Sequence, residues 1–208
     1  MLQRELLIVL SFVMMVFLGV AGTGWFAVQH LNQTSRKLAL DTLPGLVEAG
    51  LAEERIYESR RVMREILFPH TVAERRVMVD FVQTNTANEE WQSYSTSIFE
   101  PEDQHNYETM MLARSNYLQT MPRFFDLVKA GNIDQATAYF YGGQDSLFRS
   151  YLAAVKSIFE YNVAQGRVRG QSILTATRYA PWAIGALCVV VFVFGLALGL
   201  RMALRGKV

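Results

Sequence analysis

Two long uncharged stretches limit what this chain can fold into. One runs from Ala180 to Leu200 and holds twenty-one residues without a charge; the other runs from Leu6 to Val28 and holds twenty-three. At about 1.5 Å of rise per residue, a helix of this length is roughly 30 Å long, which matches the hydrocarbon core of a bilayer. We therefore expect transmembrane helices at residues 6–28 and 179–200.

The first stretch follows only five residues, so it could also be a cleaved signal peptide. Its apolar run is longer than the about 7–15 residues of a secretory core, which favours an uncleaved anchor. Positive charges flank both sides of the two stretches and do not decide the topology, but long loops translocate largely regardless of charge. We expect residues 1–5 and 201–208 in the cytoplasm and residues 29–178 in the periplasm, with the protein in a bacterial inner membrane.

The segment between the two stretches has an almost balanced charge. It carries sixteen Lys and Arg against eighteen Asp and Glu, a formal net charge of −2. Nothing in this balance indicates a nucleic acid or an anionic surface as partner. Cys188, the one cysteine, lies inside the second stretch, so the segment has no disulfide. We expect its stability to come from helix packing.

Helical periodicity fills this segment, and strand-like alternation is missing. The spacing of apolar residues predicts a first helix over Thr34 to Phe68, in which Pro44 should introduce a kink or remove one hydrogen bond. Thr71 and Glu74 form a capping-box pattern that predicts the start of a second helix, which we expect to run unbroken to Ile98.

Two further helices follow. Pro101 and its acidic neighbours predict the start of a third helix, which Pro122 could kink and which Gly131 ends. A short helical start at Ile133 and a longer helix through Asn162 complete the set. The predicted fold is all-α: an up-down-up-down four-helix bundle at residues 29–178, flanked by two transmembrane helices.

Four short motifs add a family resemblance: Leu43-Pro44-Gly45-Leu46, Arg60-Arg61-x-x-Arg64, Trp91-x-x-Tyr94 and the run from Lys129 to Ala136. In this order between two spans, they resemble the four-helix-bundle sensory domain of bacterial chemoreceptors (methyl-accepting chemotaxis proteins) and related sensor kinases. The resemblance implies a homodimeric input module for signal transduction. It also implies a HAMP linker, whose first turns residues 201–208 could form, and an output domain, which residues 1–208 do not contain. We therefore expect either a fragment of a receptor or a short relative that works through a partner. A cytoplasmic signalling partner could supply that output.

The same resemblance indicates where a ligand could bind, because in this family an arginine of the first helix can hold a ligand carboxylate. Arg60, Arg61 and Arg64 are the candidates for a small anionic ligand, and Arg114 is a further one. The competing interpretation is ion pairing with nearby acids. These acids are Glu53, Glu54, Glu58, Glu65 and Glu74.

Aromatic residues raise a second possibility. Tyr57 and Phe124 belong to a group that could line a ligand pocket, although such residues more often form core. The three histidines are far apart, so we expect no metal site and no cofactor. No arrangement of a nucleophile with a base occurs, so we expect no enzyme. Membrane lipid is the expected surrounding of the two spans. The alternative to a sensor is a membrane-anchored helical interaction or scaffold protein that senses nothing.

Overall fold

A computed structural model describes residues 2–205, and the side chains of residues 10–200 except residue 198. No strand occurs among these residues, and the all-α prediction is confirmed. Residues 1 and 206–208 of the two predicted cytoplasmic ends lie outside the described residues. In chain order, the helices are α1 (Leu2–Lys37), α2 (Leu43–Glu65), α3 (Val72–Thr84), α4 (Asn88–Ser95), α5 (Pro101–Leu118), α6 (Met121–Lys129), α7 (Ile133–Tyr141) and α8 (Gly143–Arg205).

The chain forms two compact units. One is Lys37–Arg167, and the other is built from the described parts of Met1–Arg36 and Val168–Val208. The first unit is the four-helix bundle: α2 supplies its first helix, α3 and α4 its second, α5 and α6 its third, and α7 with the start of α8 its fourth. Its core holds large, fully buried side chains, which include Trp91, Tyr94, Phe124, Met63, Ile66, Met110, Tyr151 and Ile158.

The first helix widens just before its proline. Leu38–Thr42 forms a π-helical segment that joins α1 to α2, and Pro44 then occupies the first turn of α2. Proline has no N–H to donate to the preceding turn, so a locally wider helix is a natural response. The predicted disturbance at Pro44 is confirmed, but it takes the form of a π-helical turn.

The prediction of an unbroken second helix was wrong. The helix ends at Thr84, resumes at Asn88, and leaves Ala87 between them with a φ of 55°. Asn85 makes this break possible, because its backbone oxygen accepts a hydrogen bond from Ser59 Oγ at 2.7 Å, and its side chain bonds to Arg55 and Ser59. Side chains and backbone of α2 thus supply hydrogen bonds that Asn85 would otherwise lack at the break in the helix.

The third and fourth helices are also segmented. The third is interrupted at Gln119 and Thr120, and Pro122 lies in the first turn of the helix that follows, which confirms the predicted disturbance there. Gly131 follows α6 with a φ of +75°, a conformation that glycine adopts without steric cost. The capping box of Thr71 and Glu74 is present as predicted: the hydroxyl of Thr71 accepts from the N–H of Glu74, whose carboxylate accepts from the N–H of Thr71.

The second unit contains the two uncharged stretches. Two helices are candidate membrane spans by length and composition, one near the N-terminus and one that ends at Ala197. Within this unit the rings of Phe12 and Phe194 have centroids 3.8 Å apart, and His30 Nε2 lies 3.3 Å from Ser172 Oγ. The two stretches therefore pack against each other.

Candidate functional site

Arg60 lies at the centre of a buried polar cluster, which we call the Arg60 cluster (Arg60, Gln144, Asp145 and Thr120). The residue is only 9% exposed. Its Nη2 donates to Asp145 Oδ1 at 2.9 Å and to the carbonyl oxygen of Phe140 at 3.1 Å, and its Nη1 donates to Gln144 Oε1 at 3.1 Å. Gln144 in turn donates to Thr120 Oγ1 at 3.1 Å. The cluster thus joins α2 to the α7–α8 turn and to the break in the third helix.

Aromatic rings cover the Arg60 guanidinium. Its central carbon lies 3.6 Å from the ring centroid of Phe140 and 4.7 Å from that of Phe148. A guanidinium stacked on ring faces keeps favourable electrostatics where water is excluded. Arg60 can therefore remain charged within an apolar interior.

Asp145, the acidic member of the ion pair with Arg60, accepts hydrogen bonds from two arginines. Asp145 Oδ2 accepts from Arg149 Nε at 2.8 Å while Oδ1 accepts from Arg60. Burial of the carboxylate acts to raise the pKa of Asp145, but hydrogen bonds from Arg149 and Arg60 outweigh it, and the pKa lies below its ordinary value. The nearby Tyr117 hydroxyl has a raised pKa, mainly because it is buried.

Three of the six predicted site residues converge here. Tyr57 packs edge-on against Phe148, with ring centroids 6.4 Å apart, and Phe124 lies 5.9 Å from Phe140. Phe124 is fully buried and Tyr57 is 49% exposed, so the two do not line one open pocket. Arg60, Tyr57 and Phe124 are therefore packed around the rings of Phe140 and Phe148.

The remaining three lie elsewhere. Arg61 is exposed, with its nearest acidic oxygen, on Glu58, at 4.0 Å, and Arg64 is exposed. Arg114 donates from Nη2 to the Thr86 carbonyl oxygen at 3.1 Å and to the Asn88 side chain. Arg114 therefore supports the break in the second helix, opposite Arg55, which pairs with buried Glu90. Ligand binding by these residues stays a prediction.

The predicted acidic partners of Arg60 are not the ones it uses. Its partner Asp145 lies 85 residues away along the chain, at the start of α8, whereas the acids considered were neighbours in α2 and α3. A signal was present: in an up-down-up-down bundle, the turn at Gly142 and Gly143 lies at the same end as the turn after Phe68, and therefore near the distal part of the first helix. Any acid of that turn was therefore within reach of Arg60.

A second buried polar cluster, the Tyr94 cluster (Tyr94, Asp103 and Asn162), was missed. The Tyr94 hydroxyl donates to Asp103 Oδ1 at 2.5 Å and accepts from Asn162 Nδ2 at 2.8 Å. Burial, and next the bond to Asp103, raises the pKa of Tyr94. Gly45 faces Asn162 so closely that a Cβ on Gly45 would lie 2.7 Å from Asn162 Oδ1. Four helices meet at this point, namely α2, α4, α5 and α8.

Both clusters link helices of the bundle through hydrogen bonds between side chains. Among the side chains that the structure describes, no group of three His, Cys, Asp or Glu residues could hold a metal ion. The geometry is that of a helical bundle whose fourth helix is fixed to the others by buried, specific polar contacts.

The structure thus defines a class of protein: a helical bundle with one candidate membrane span before it in the chain and another after it. The chain matches the family described as a four helix bundle sensory module for signal transduction, over residues 3–173. It belongs to that family, and the resemblance drawn from its motifs is confirmed. No curated protein matches the chain significantly.

Proposed function

We propose that this chain is the sensory input module of a bacterial transmembrane receptor, anchored twice in the inner membrane with its bundle in the periplasm. The observation that carries the proposal is that the sensory-module match covers residues 3–173 and that two candidate membrane spans bracket the bundle. In this role the chain binds a small molecule or a protein partner, catalyses nothing, and passes a change of bundle arrangement to the cytoplasm.

The continuity of α8 supports this mode of transmission. α8 runs without interruption from Gly143 to Arg205. Asp145 and Asn162, one from each buried cluster, lie on it. A stimulus that favours another arrangement of either cluster would shift α8 relative to the first helix. A ligand can move such an equilibrium only by its preference between the two states.

An exposed apolar stripe on the first helix supports a homodimer. Leu40, Leu43, Val47 and Leu51 follow each other at helical spacing and are 52%, 51%, 58% and 46% exposed. Apolar residues in such a row on a helix surface are typical of a helix–helix interface. In the second stretch, a Cβ on Gly195 or Gly199 would meet nothing within 4 Å, so this GxxxG step is open to a second helix.

Cysteine cross-linking tests the dimer interface and the periplasmic location of the bundle together. In a Cys188→Ala background, we expect Val47→Cys to form a covalent dimer in intact spheroplasts with a membrane-impermeant bis-maleimide. Glu108→Cys, an exposed residue of α5 outside the stripe, is the matched control and should stay monomeric. Equal cross-linking at both positions would contradict the proposed interface.

Labelling settles the side of the membrane independently. Asn132→Cys lies in the exposed turn after α6. It should react with an impermeant maleimide in intact spheroplasts, whereas Val208→Cys should react only after lysis. The reverse pattern would refute the periplasmic location, and with it the proposed receptor.

A further inference from the structure

A cavity outside both buried clusters lies between α3 and the end of α6. Its volume is about 430 Å³, within the range of small-molecule sites. Three valines form its apolar lining, and four charged residues and a glycine complete it. The lining residues are Val72, Val79, Val128, Arg75, Arg76, Asp80, Lys129 and Gly131.

The charges around this cavity are strongly unbalanced. Arg75, Arg76 and Lys129 bring three positive charges against the single carboxylate of Asp80. None of the ion pairs within the described residues involves any of these three cations. The cavity therefore has an excess of positive charge that the bundle itself does not neutralise.

Arg75 also has an unused donor. Its Nη2 donates to the Phe68 carbonyl oxygen at 3.3 Å, while its Nε is buried without a hydrogen-bond partner. An unpaired buried donor is unfavourable, so an acceptor that reaches it gains that interaction. Arginine's planar fork is suited to a carboxylate or another oxyanion.

We propose that this cavity binds a small organic anion, with its oxyanion on Arg75, Arg76 and Lys129 and its apolar part on the three valines. The inference rests on the proposed sensory function, because a sensory module gives such binding a consequence. The proposed ligand site lies away from Arg60, because the donors of Arg60 are already bonded to groups of the bundle. The site also connects to the bundle, since Val79 and Val128 are core residues of α3 and α6.

The test uses the full chain in nanodiscs of zwitterionic lipid, with 4-fluorobenzoate as the probe and 4-fluorobenzamide as its uncharged counterpart, both observed by fluorine NMR. We expect the benzoate to bind and the benzamide to bind at least about tenfold more weakly, because only the anion can use the cations. Lys129→Gln should weaken benzoate binding about tenfold. Arg123→Gln is the matched control: it removes an exposed cation from the same helix outside the cavity and should have no effect.

A second pair of variants tests occupancy without changing charge. Val72 is 85% exposed and lines the cavity, whereas Val77 is 69% exposed on the same helix and does not. Val72→Trp should abolish benzoate binding, and Val77→Trp should leave it unchanged. Circular dichroism checks that both variants fold.

Three results would overturn the site: no benzoate binding by the wild-type chain, equal binding of the two probes, or benzoate binding that Lys129→Gln and Val72→Trp leave unchanged. Each of these refutes the cavity alone and not the receptor role. The receptor role fails separately, if the labelling experiment reverses the expected sides of the membrane.

Discussion

Replacing Gly45 with alanine should destabilise the bundle, although the same change in an open helical position stabilises. An ideal Cβ at Gly45 would lie 2.7 Å from Asn162 Oδ1, 3.0 Å from its Cγ and 3.2 Å from its Nδ2. Asn162 is 1% exposed, and its Nδ2 donates to the Tyr94 hydroxyl at 2.8 Å and to the Ile158 carbonyl oxygen at 3.1 Å. The side chain therefore has no free direction in which to move.

The expected cost follows from these contacts. Overpacking costs about 1–3 kcal/mol, and a weakened buried hydrogen bond adds to it. Removing a helical glycine returns about 0.5–1 kcal/mol. We therefore expect a net loss of about 2 kcal/mol for Gly45→Ala. Gly50 is the matched control in the same helix, because a Cβ there would meet nothing within 4 Å. Gly50→Ala should stabilise by about 0.5–1 kcal/mol.

Thermal unfolding of the full chain in micelles, followed by circular dichroism, measures the difference. At about 2–4 °C per kcal/mol for a chain of this size, Gly45→Ala should lower the Tm by about 4–8 °C, and Gly50→Ala should raise it slightly. In an Asn162→Ala background, Gly45→Ala should lose most of its cost, since the atoms it displaces are gone. If Gly45→Ala were as stable as Gly50→Ala, the close contact of α2 with α8 would be refuted.

Two predictions concern the Arg60 cluster. Arg60→Ala leaves Asp145 Oδ1 and Gln144 Oε1 without the donor they share, while Arg149 still donates to Asp145 Oδ2. We expect this change to cost about 3 kcal/mol in unfolding free energy, whereas Arg61→Ala, at an exposed position, should cost less than about 0.5 kcal/mol. Equal losses in chemical denaturation would contradict this. The pKa of Asp145 is lowered in the folded state, so its stabilising contribution is complete above about pH 5 and is lost as the pH falls through 4 and below. Asp145→Asn should therefore show a smaller loss of stability between pH 6 and pH 3 than wild type, and an unchanged pH dependence would refute the role of this carboxylate.

Most of the bundle's architecture could be predicted because helix boundaries depend on local chemistry. The capping box at Thr71 and Glu74, Pro101 in a first turn, and Gly131 at a helix end each act within one turn of chain. The break at Ala87 could not be predicted in this way. No glycine or proline marks it, and it exists because Arg55, Ser59 and Arg114 satisfy its polar groups from two other helices.

The site residues were harder to predict, for a related reason. Arg60 was one of the predicted ligand residues of the first helix, and the structure buries it on α2 together with Ile56 and Met63, where a charge requires partners. Which partners it has depends on the packing of α2 against the α7–α8 turn. The cavity at Arg75 and Lys129 likewise depends on how α3 meets α6. Helical periodicity within one segment does not show how that segment packs against another helix, so neither the partners of Arg60 nor the cavity could be predicted from it.

The central claim, that a displacement of α8 relative to the first helix carries the signal, can be tested with a reversible lock. A Cβ on Gly166 would lie 3.2 Å from Thr42 Cγ2, so the two positions are in contact, and we expect cysteines placed there to form a disulfide on oxidation. The variant Thr42→Cys with Gly166→Cys is made in a Cys188→Ala background. The chain is then fused at Val208 to the HAMP linker and histidine kinase of a related receptor.

Kinase output in membranes is measured before oxidation, after oxidation and after reduction, with Thr42→Cys alone as the control. We expect oxidation to change the kinase output of the double variant by about fivefold or more, and we expect a reductant to reverse that change. The kinase output of the control should not respond to oxidation. A disulfide that forms completely and leaves the kinase output unchanged would contradict transmission through α8.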